Sequence, residues 1–156
     1  MRRKDREVLG LQNILAILDK CEILHLALSL SDMPYVVPMN FAYEVADEQI
    51  SVYLHCSPGG TKLDIISKNS NVCFQADCSY RLLTNDDACS WSCEFQSVIG
   101  FGAAMVVQDE KEKIHALDVI MKRYGFFGKP EYVKERLNAV TVLKIEVSSI
   151  SGKAKM

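Results

Sequence analysis

The sequence has no long apolar run. A stretch of roughly 18 apolar residues, the length a membrane-spanning helix needs, occurs nowhere, so no span is expected. The start is charged, but no apolar core with a small-residue cleavage site follows. No export signal is therefore expected, and the chain is expected in the cytoplasm with its cysteines reduced. Charge of one sign is missing as well. Eighteen Lys and Arg against 20 Asp and Glu leave a net charge of −2, which argues against a global basic field for nucleic acid. The local exception is Arg2-Arg3-Lys4 with Arg6 nearby: a solvated arm, or one that closes over a bound phosphate.

Histidine is scarce, with only His25, His55 and His115. The six cysteines (Cys21, Cys56, Cys73, Cys78, Cys89, Cys93) contain no Cys-x-x-Cys pair. Cys89 and Cys93 have no His near them, so no metal centre is expected and free thiols are the default. The two common nucleotide loops, Gly-x-x-x-x-Gly-Lys-Ser/Thr and Gly-x-Gly-x-x-Gly, are also absent.

What is present centres on Tyr53-Leu-His-Cys-Ser-Pro-Gly-Gly-Thr-Lys-Leu-Asp-Ile-Ile66. It reads as a strand entering a helix through small residues. Such a loop lets backbone N–H groups converge on an anion, and Lys62 adds a point charge suited to phosphate. The plainer alternative is an ordinary strand–turn–helix connection with a solvated Lys.

The length of 156 residues suggests one domain with a sizeable core. Asp5 and the apolar set Val8, Leu11, Ile14, Leu15 and Leu18 predict a helix over roughly 5–20. Strands are expected over 22–30, 34–44 and 50–55, then a helix from Thr61 to Asn69. Pro38 inside the second strand marks an edge, a bend or a bulge, because proline cannot donate to a central ladder. Asn40, two residues on, offers an amide with both donor and acceptor. A fourth strand is expected over 72–77, and the polar segment 78–87 is expected to interrupt the sheet. A long strand pattern follows over 91–108, with Gly100 and Gly102 suggesting strong curvature. Asp109 can cap a helix that runs to Tyr124, Pro130 opens a short helix to about Leu137, and 140–147 is the last strand. Consecutive hairpin-connected strands of this kind favour an antiparallel Greek-key barrel of about six strands with peripheral helices.

Several stretches, taken together and in order, resemble one family. They are Met1-Arg-Arg-Lys-Asp-Arg6, Pro34-Tyr-Val-Val-Pro-Met-Asn-Phe-Ala-Tyr-Glu44, Tyr53-Leu-His55 with Gly60-Thr-Lys62, Ser97-Val-Ile-Gly-Phe-Gly102 and Ile150-Ser-Gly-Lys153. The chain resembles the pyridoxamine 5′-phosphate oxidase-like, FMN-binding split-barrel superfamily, and within it the nitroimidazole-resistance (Nim) type. The resemblance implies a six-stranded split barrel that forms a homodimer with FMN in clefts at the subunit interface. It places Pro38, Met39 and Asn40 along the isoalloxazine ring, with backbone groups facing its polar edge. It sets His55, Cys56, Ser57 and Lys62 around the ribityl phosphate end, and Ser97 and Val98 at the border of the same cleft. Here Cys56 and Thr61 stand where the family usually has Ser and a first Lys, so one positive charge is missing at the phosphate end. The further basic residues that pyridoxamine phosphate oxidases carry for their substrate are not found.

The resemblance implies an FMN-dependent oxidoreductase with a small-molecule electron acceptor, such as a nitro-aromatic compound, and a nicotinamide donor. It assigns no catalytic residue. His55 is the acid–base candidate nearest the site. The alternatives are a flavin binder without turnover, a haem protein, and a deazaflavin such as F420 in place of FMN. No nucleic-acid or membrane partner is expected.

Overall fold

The computed structural model describes residues 3–128 and 130–156. Arg2, part of the basic cluster at the start, lies outside the described residues. Eight strands and four α-helices follow in the order β1 (Glu7–Val8), α1 (Leu11–Lys20), β2 (Leu24–Leu30), β3 (Met33–Met39), β4 (Phe41–Ala46), β5 (Gln49–Cys56), α2 (Thr61–Ile66), β6 (Asn71–Leu83), β7 (Ser92–Val106), α3 (Glu110–Arg123), α4 (Lys134–Asn138) and β8 (Thr141–Lys155).

All strand pairs are antiparallel, in the order β3-β2-β6-β7-β8-β5-β4, with β1 added alongside β8. The two edge strands, β3 and β4, are contiguous in sequence through Asn40. The chain therefore leaves one edge of the sheet and enters the other, which curls the sheet into a split barrel. The register shows the tilt this requires. Pro38 pairs with His25, and that row continues through Gln75 to Ile99. Phe41 instead lies in the row of Leu54, Leu143 and Val106. One step past Asn40 thus shifts the row well along β7.

Alternation along the strands fills the barrel. Leu24, Leu26, Phe41, Val52, Leu54, Phe74, Ala76, Val98, Leu143 and Ile145 are all buried, and Ile14, Leu15, Ile17 and Leu18 of α1 join the same cluster. A second cluster lies outside the barrel, where Ala116, Leu117 and Ile120 of α3 pack on Ala42, Tyr53 and Val142. Asp109 caps α3 as expected, accepting from the Glu112 N–H at 2.9 Å.

The sequence expectations differ from this in definable ways. The described residues form eight strands rather than six. The first helix begins at Leu11, because residues 7–8 pair with β8 and Gly10 at φ 83 turns the chain. The second expected strand is two, broken at Asn40. Segment 78–87 does not end the sheet at once: β6 passes a bulge between Cys78 and Arg81 and continues to Leu83, opposite Ser92. The last strand runs unbroken to Lys155, because β7 pairs with it along its length.

Candidate functional site

The barrel seam brings two of the sequence candidates together. Phe41 pairs with Leu54, so Asn40 and His55 lie side by side at the ends of β4 and β5. Asn40 and His55 are exposed. Neither β3 nor β4 has a strand on its far side among the described residues, so the seam leaves backbone N–H and C=O groups outside any ladder.

Two side chains of α3 and its cap hold this corner. The Tyr124 hydroxyl accepts the Phe41 N–H at 3.1 Å and donates to the Glu22 carbonyl at 2.6 Å. Arg123, with its side chain 14% exposed, donates to the carbonyls of Leu18 and Cys21 at 2.6 and 2.7 Å and stacks 4.2 Å over the Phe41 ring. It thus satisfies carbonyls at the C-terminal end of α1 while its charge lies on an aromatic face. Both residues escaped the sequence reading. They lie more than 80 positions from Phe41, and neither belongs to a short motif.

Beyond β5 the chain enters the glycine-rich loop. Gly59 and Gly60 have φ 85 and 102, and a Cβ at either would meet open space. The left-handed backbone, not crowding, is what calls for glycine here. The Gly60 carbonyl receives the N–H groups of Leu63 and Asp64 at 2.9 and 3.2 Å, opening α2. That helix has six residues and plants Ile65 and Ile66 in the barrel core. So short a helix adds little dipole, so the positive charge at this corner rests on Lys62. Asp64, in the same turn, opposes it.

Alternation along β5 separates its last two residues. Tyr53 packs under α3 and Leu54 in the barrel, which directs His55 to the outer side and Cys56 inward, against the barrel core. Burial pushes the Cys56 thiol up, and the nearby Lys62 ammonium partly offsets this. Ser57 and Thr61 are exposed beside Lys62.

The remaining candidates lie on the other half of the sheet. Pro38 is exposed, in a row with His25, Gln75 and Ile99. The Met39 and Val98 side chains are both buried; Met39 sits on the edge strand β3, whereas Val98 is paired on both sides, with Ala76 and Gly152. Ser97 pairs with Asp77 on one side and Lys153 on the other. This outer face also exposes Val36, Ile99 and Phe101, with relative exposures of 58%, 42% and 52%. His115 is not at this site: its Nε2 lies 2.6 Å from Glu44 on the α3 side. No group of three or more His, Cys, Asp or Glu that could hold a metal occurs among the described residues. No described helix is long and apolar enough to cross a membrane.

A family model described as pyridoxamine 5′-phosphate oxidase matches residues 11–154. Among solved structures, the chain is similar to a candidate 5-nitroimidazole antibiotic resistance protein from Bacteroides thetaiotaomicron. The two share 32% identity over 95% of this chain and 86% of that one, with a TM-score of 0.81. The flavocytochrome Anf3 from Azotobacter vinelandii has the same fold at 22% identity, covering 100% of this chain and 72% of that one, with a TM-score of 0.81. So does a FAD and haem binding protein from Mycobacterium smegmatis, at 18% identity, 96% and 73% coverage and a TM-score of 0.83. No match was found among curated proteins.

Proposed function

The chain belongs to the pyridoxamine 5′-phosphate oxidase family, and from that membership we propose that it is an FMN-binding flavoprotein that acts as an oxidoreductase. The observation that carries the reading is the seam. Two unpaired strand edges meet at Asn40, directly beside the loop that presents Lys62. A planar ring with a donor–acceptor edge suits unpaired backbone groups, and a phosphate suits an ammonium flanked by hydroxyls. The residues present therefore fit the group.

Backbone groups of Pro38, Met39 and Asn40 would hold the ring edge. Ser57, Thr61 and Lys62 would hold the phosphate. Bound FMN would supply hydride or electron transfer, and the protein supplies binding, orientation and electrostatics. His55, exposed on the outer side next to Asn40, is the titratable group placed to exchange a proton with a bound substrate. A nicotinamide donor and a nitro-aromatic acceptor are the substrate classes this reading takes from the family.

The reading includes a homodimer. Ser97 and Val98 pair with Lys153 and Gly152 at one end of β8, whereas His55 and Cys56, which lead into the loop, pair with Val142 and Thr141 at its other end, and the outer face beside Ser97 exposes Val36, Ile99 and Phe101. A second copy seated there would cover that face and bring its own Ser97 toward the seam.

The absorption spectrum of the purified protein, before and after FMN addition, tests the cofactor. Flavin bands with stoichiometric uptake are expected. Lys62→Ala should weaken FMN binding by about tenfold or more, the loss of one charged hydrogen bond, without lowering the melting temperature. A Soret band, or no uptake, would overturn the reading. Size-exclusion chromatography with light scattering should give twice the chain mass; a monomer would sink the shared cleft. Turnover is read from reoxidation of NAD(P)H-reduced flavin by an added nitro-aromatic compound. Flavin that no nicotinamide reduces would leave a binder without turnover.

A further inference from the structure

The end of α1 and the bulge of β6 direct two thiols at one carbonyl. Cys21 follows α1 and is buried, and its Sγ donates to the Ile17 carbonyl at 3.3 Å. Cys78, the last residue before the bulge, is partly exposed, and its Sγ lies 3.9 Å from the same oxygen. Both sulfurs therefore lie within 4 Å of one oxygen, which makes them neighbours across the α1–β6 contact. Ser79 donates to the Cys78 sulfur at 3.6 Å and adopts φ 58. The regular ladder lapses there, between the Cys78–Gln96 and Arg81–Glu94 pairs. The backbone beside Cys78 is thus freer to adjust than a strand interior. The other four cysteines lie elsewhere: Cys73 within β6, Cys56 at the end of β5, Cys93 on β7, and Cys89 in an exposed turn.

We propose that Cys21 and Cys78 form a reversible intramolecular disulfide when the protein meets a peroxide or a low-molecular-weight disulfide. Cys78 reacts first, because it is the accessible partner. Its thiolate attacks a peroxide oxygen; the S–O bond forms, the O–O bond breaks and hydroxide leaves. The Cys21 thiol then attacks the Cys78 sulfur. The S–S bond forms, the S–O bond breaks, and the Cys21 proton leaves with the oxygen as water. Two thiols are oxidised and one peroxide is reduced to two waters. With a low-molecular-weight disulfide, the same two attacks release its two thiols.

The second attack sets the rate. Burial pushes the Cys21 thiol up to about 12; the Cys78 sulfur and the Asp77 carboxylate add to the shift, and the Arg123 guanidinium opposes it. Ring closure is therefore slow at neutral pH and quickens as pH rises. The bond ties the end of α1, already held by Arg123, to the sheet. It depends on neither a cofactor nor a second copy.

The test treats the full chain with hydrogen peroxide and, separately, with oxidised glutathione, at neutral and at mildly alkaline pH. Free thiols are then alkylated, and the digest is analysed by mass spectrometry without reduction. The expected result is a linked pair of peptides carrying Cys21 and Cys78. Its mass is lower by two hydrogens, it forms faster at the higher pH, and dithiothreitol removes it. The oxidised protein melts at a higher temperature than the reduced one. Cys78→Ser and Cys21→Ala each abolish the linked pair, and Cys89→Ser leaves it unchanged. Alkylation of all six thiols after oxidant, a Cys89–Cys93 link instead, or Cys78 driven to sulfinic acid with Cys21 still free would each overturn the proposal.

Discussion

Gly100 faces into the barrel from β7, where a methyl group would occupy the ring of Phe74. Phe74 is fully buried and cannot swing aside without leaving the core. Gly100→Ala should therefore destabilise by about 1–3 kcal/mol, the usual cost of overpacking, read as a lower urea midpoint with the slope unchanged. An unaltered midpoint would show that the Phe74 ring does not lie against Gly100. The sequence reading took Gly100 as a mark of curvature; what requires glycine is a close approach across the sheet. Arg123 shows the same limit. Its exposed neighbours Lys122 and Tyr124 give no hint that the guanidinium is inside, over Phe41.

Among the elements, the two tight hairpins are the clearest local devices. Ser31-Asp32 joins β2 to β3, and Asp47-Glu48 joins β4 to β5, all four residues with φ between 49 and 65. Left-handed backbone at two successive residues is the hairpin turn whose twist matches the flanking strands. A side chain such as Glu48 pays about 1–2 kcal/mol for it. Glu48→Gly removes that strain but adds unfolded-chain entropy worth about 0.5–1 kcal/mol. The relief is the larger effect, so a gain of up to about 1 kcal/mol is expected. It would be measured as a raised melting temperature; a drop would mean the turn is not left-handed. The Asp109 cap and the irregularity at Pro38, read as an edge, a bend or a bulge, were legible because each depends on residues within a few positions. The β6 bulge was not, because nothing local distinguishes a bulge from a break.

For the whole molecule, the pH dependence is asymmetric. Cys21 is held up to about 12 against an ordinary 9.0, and burial with a bond to Asp19 also raises the Tyr43 hydroxyl. Burial and Asp118 do the same for Tyr132. Each group is neutral in the fold and ionises more easily in the open chain. The open chain therefore binds fewer protons once pH passes its ordinary values, and stability falls as pH rises. The melting temperature should hold steady up to about pH 9 and decline between 9 and 12. Cys21→Ala should shift the onset of that decline upward. A curve flat to pH 12 would mean these groups are not sequestered.

The sequence by itself determined most of the elements, though not their ends or the strand count. Period-two and helical spacing, caps and turns are local, and so is the glycine-rich loop that carries Lys62. The family resemblance, carried by soft motifs in order, also lay wholly in the sequence. Only the tertiary structure decided what meets what. It placed Asn40 beside His55, turned His55 and Cys56 to opposite sides, buried Val98 and Met39, and put Cys21 and Cys78 against one carbonyl. Those outcomes depend on barrel tilt and strand order, which arise from packing between residues far apart in the chain, and no short window of sequence contains them.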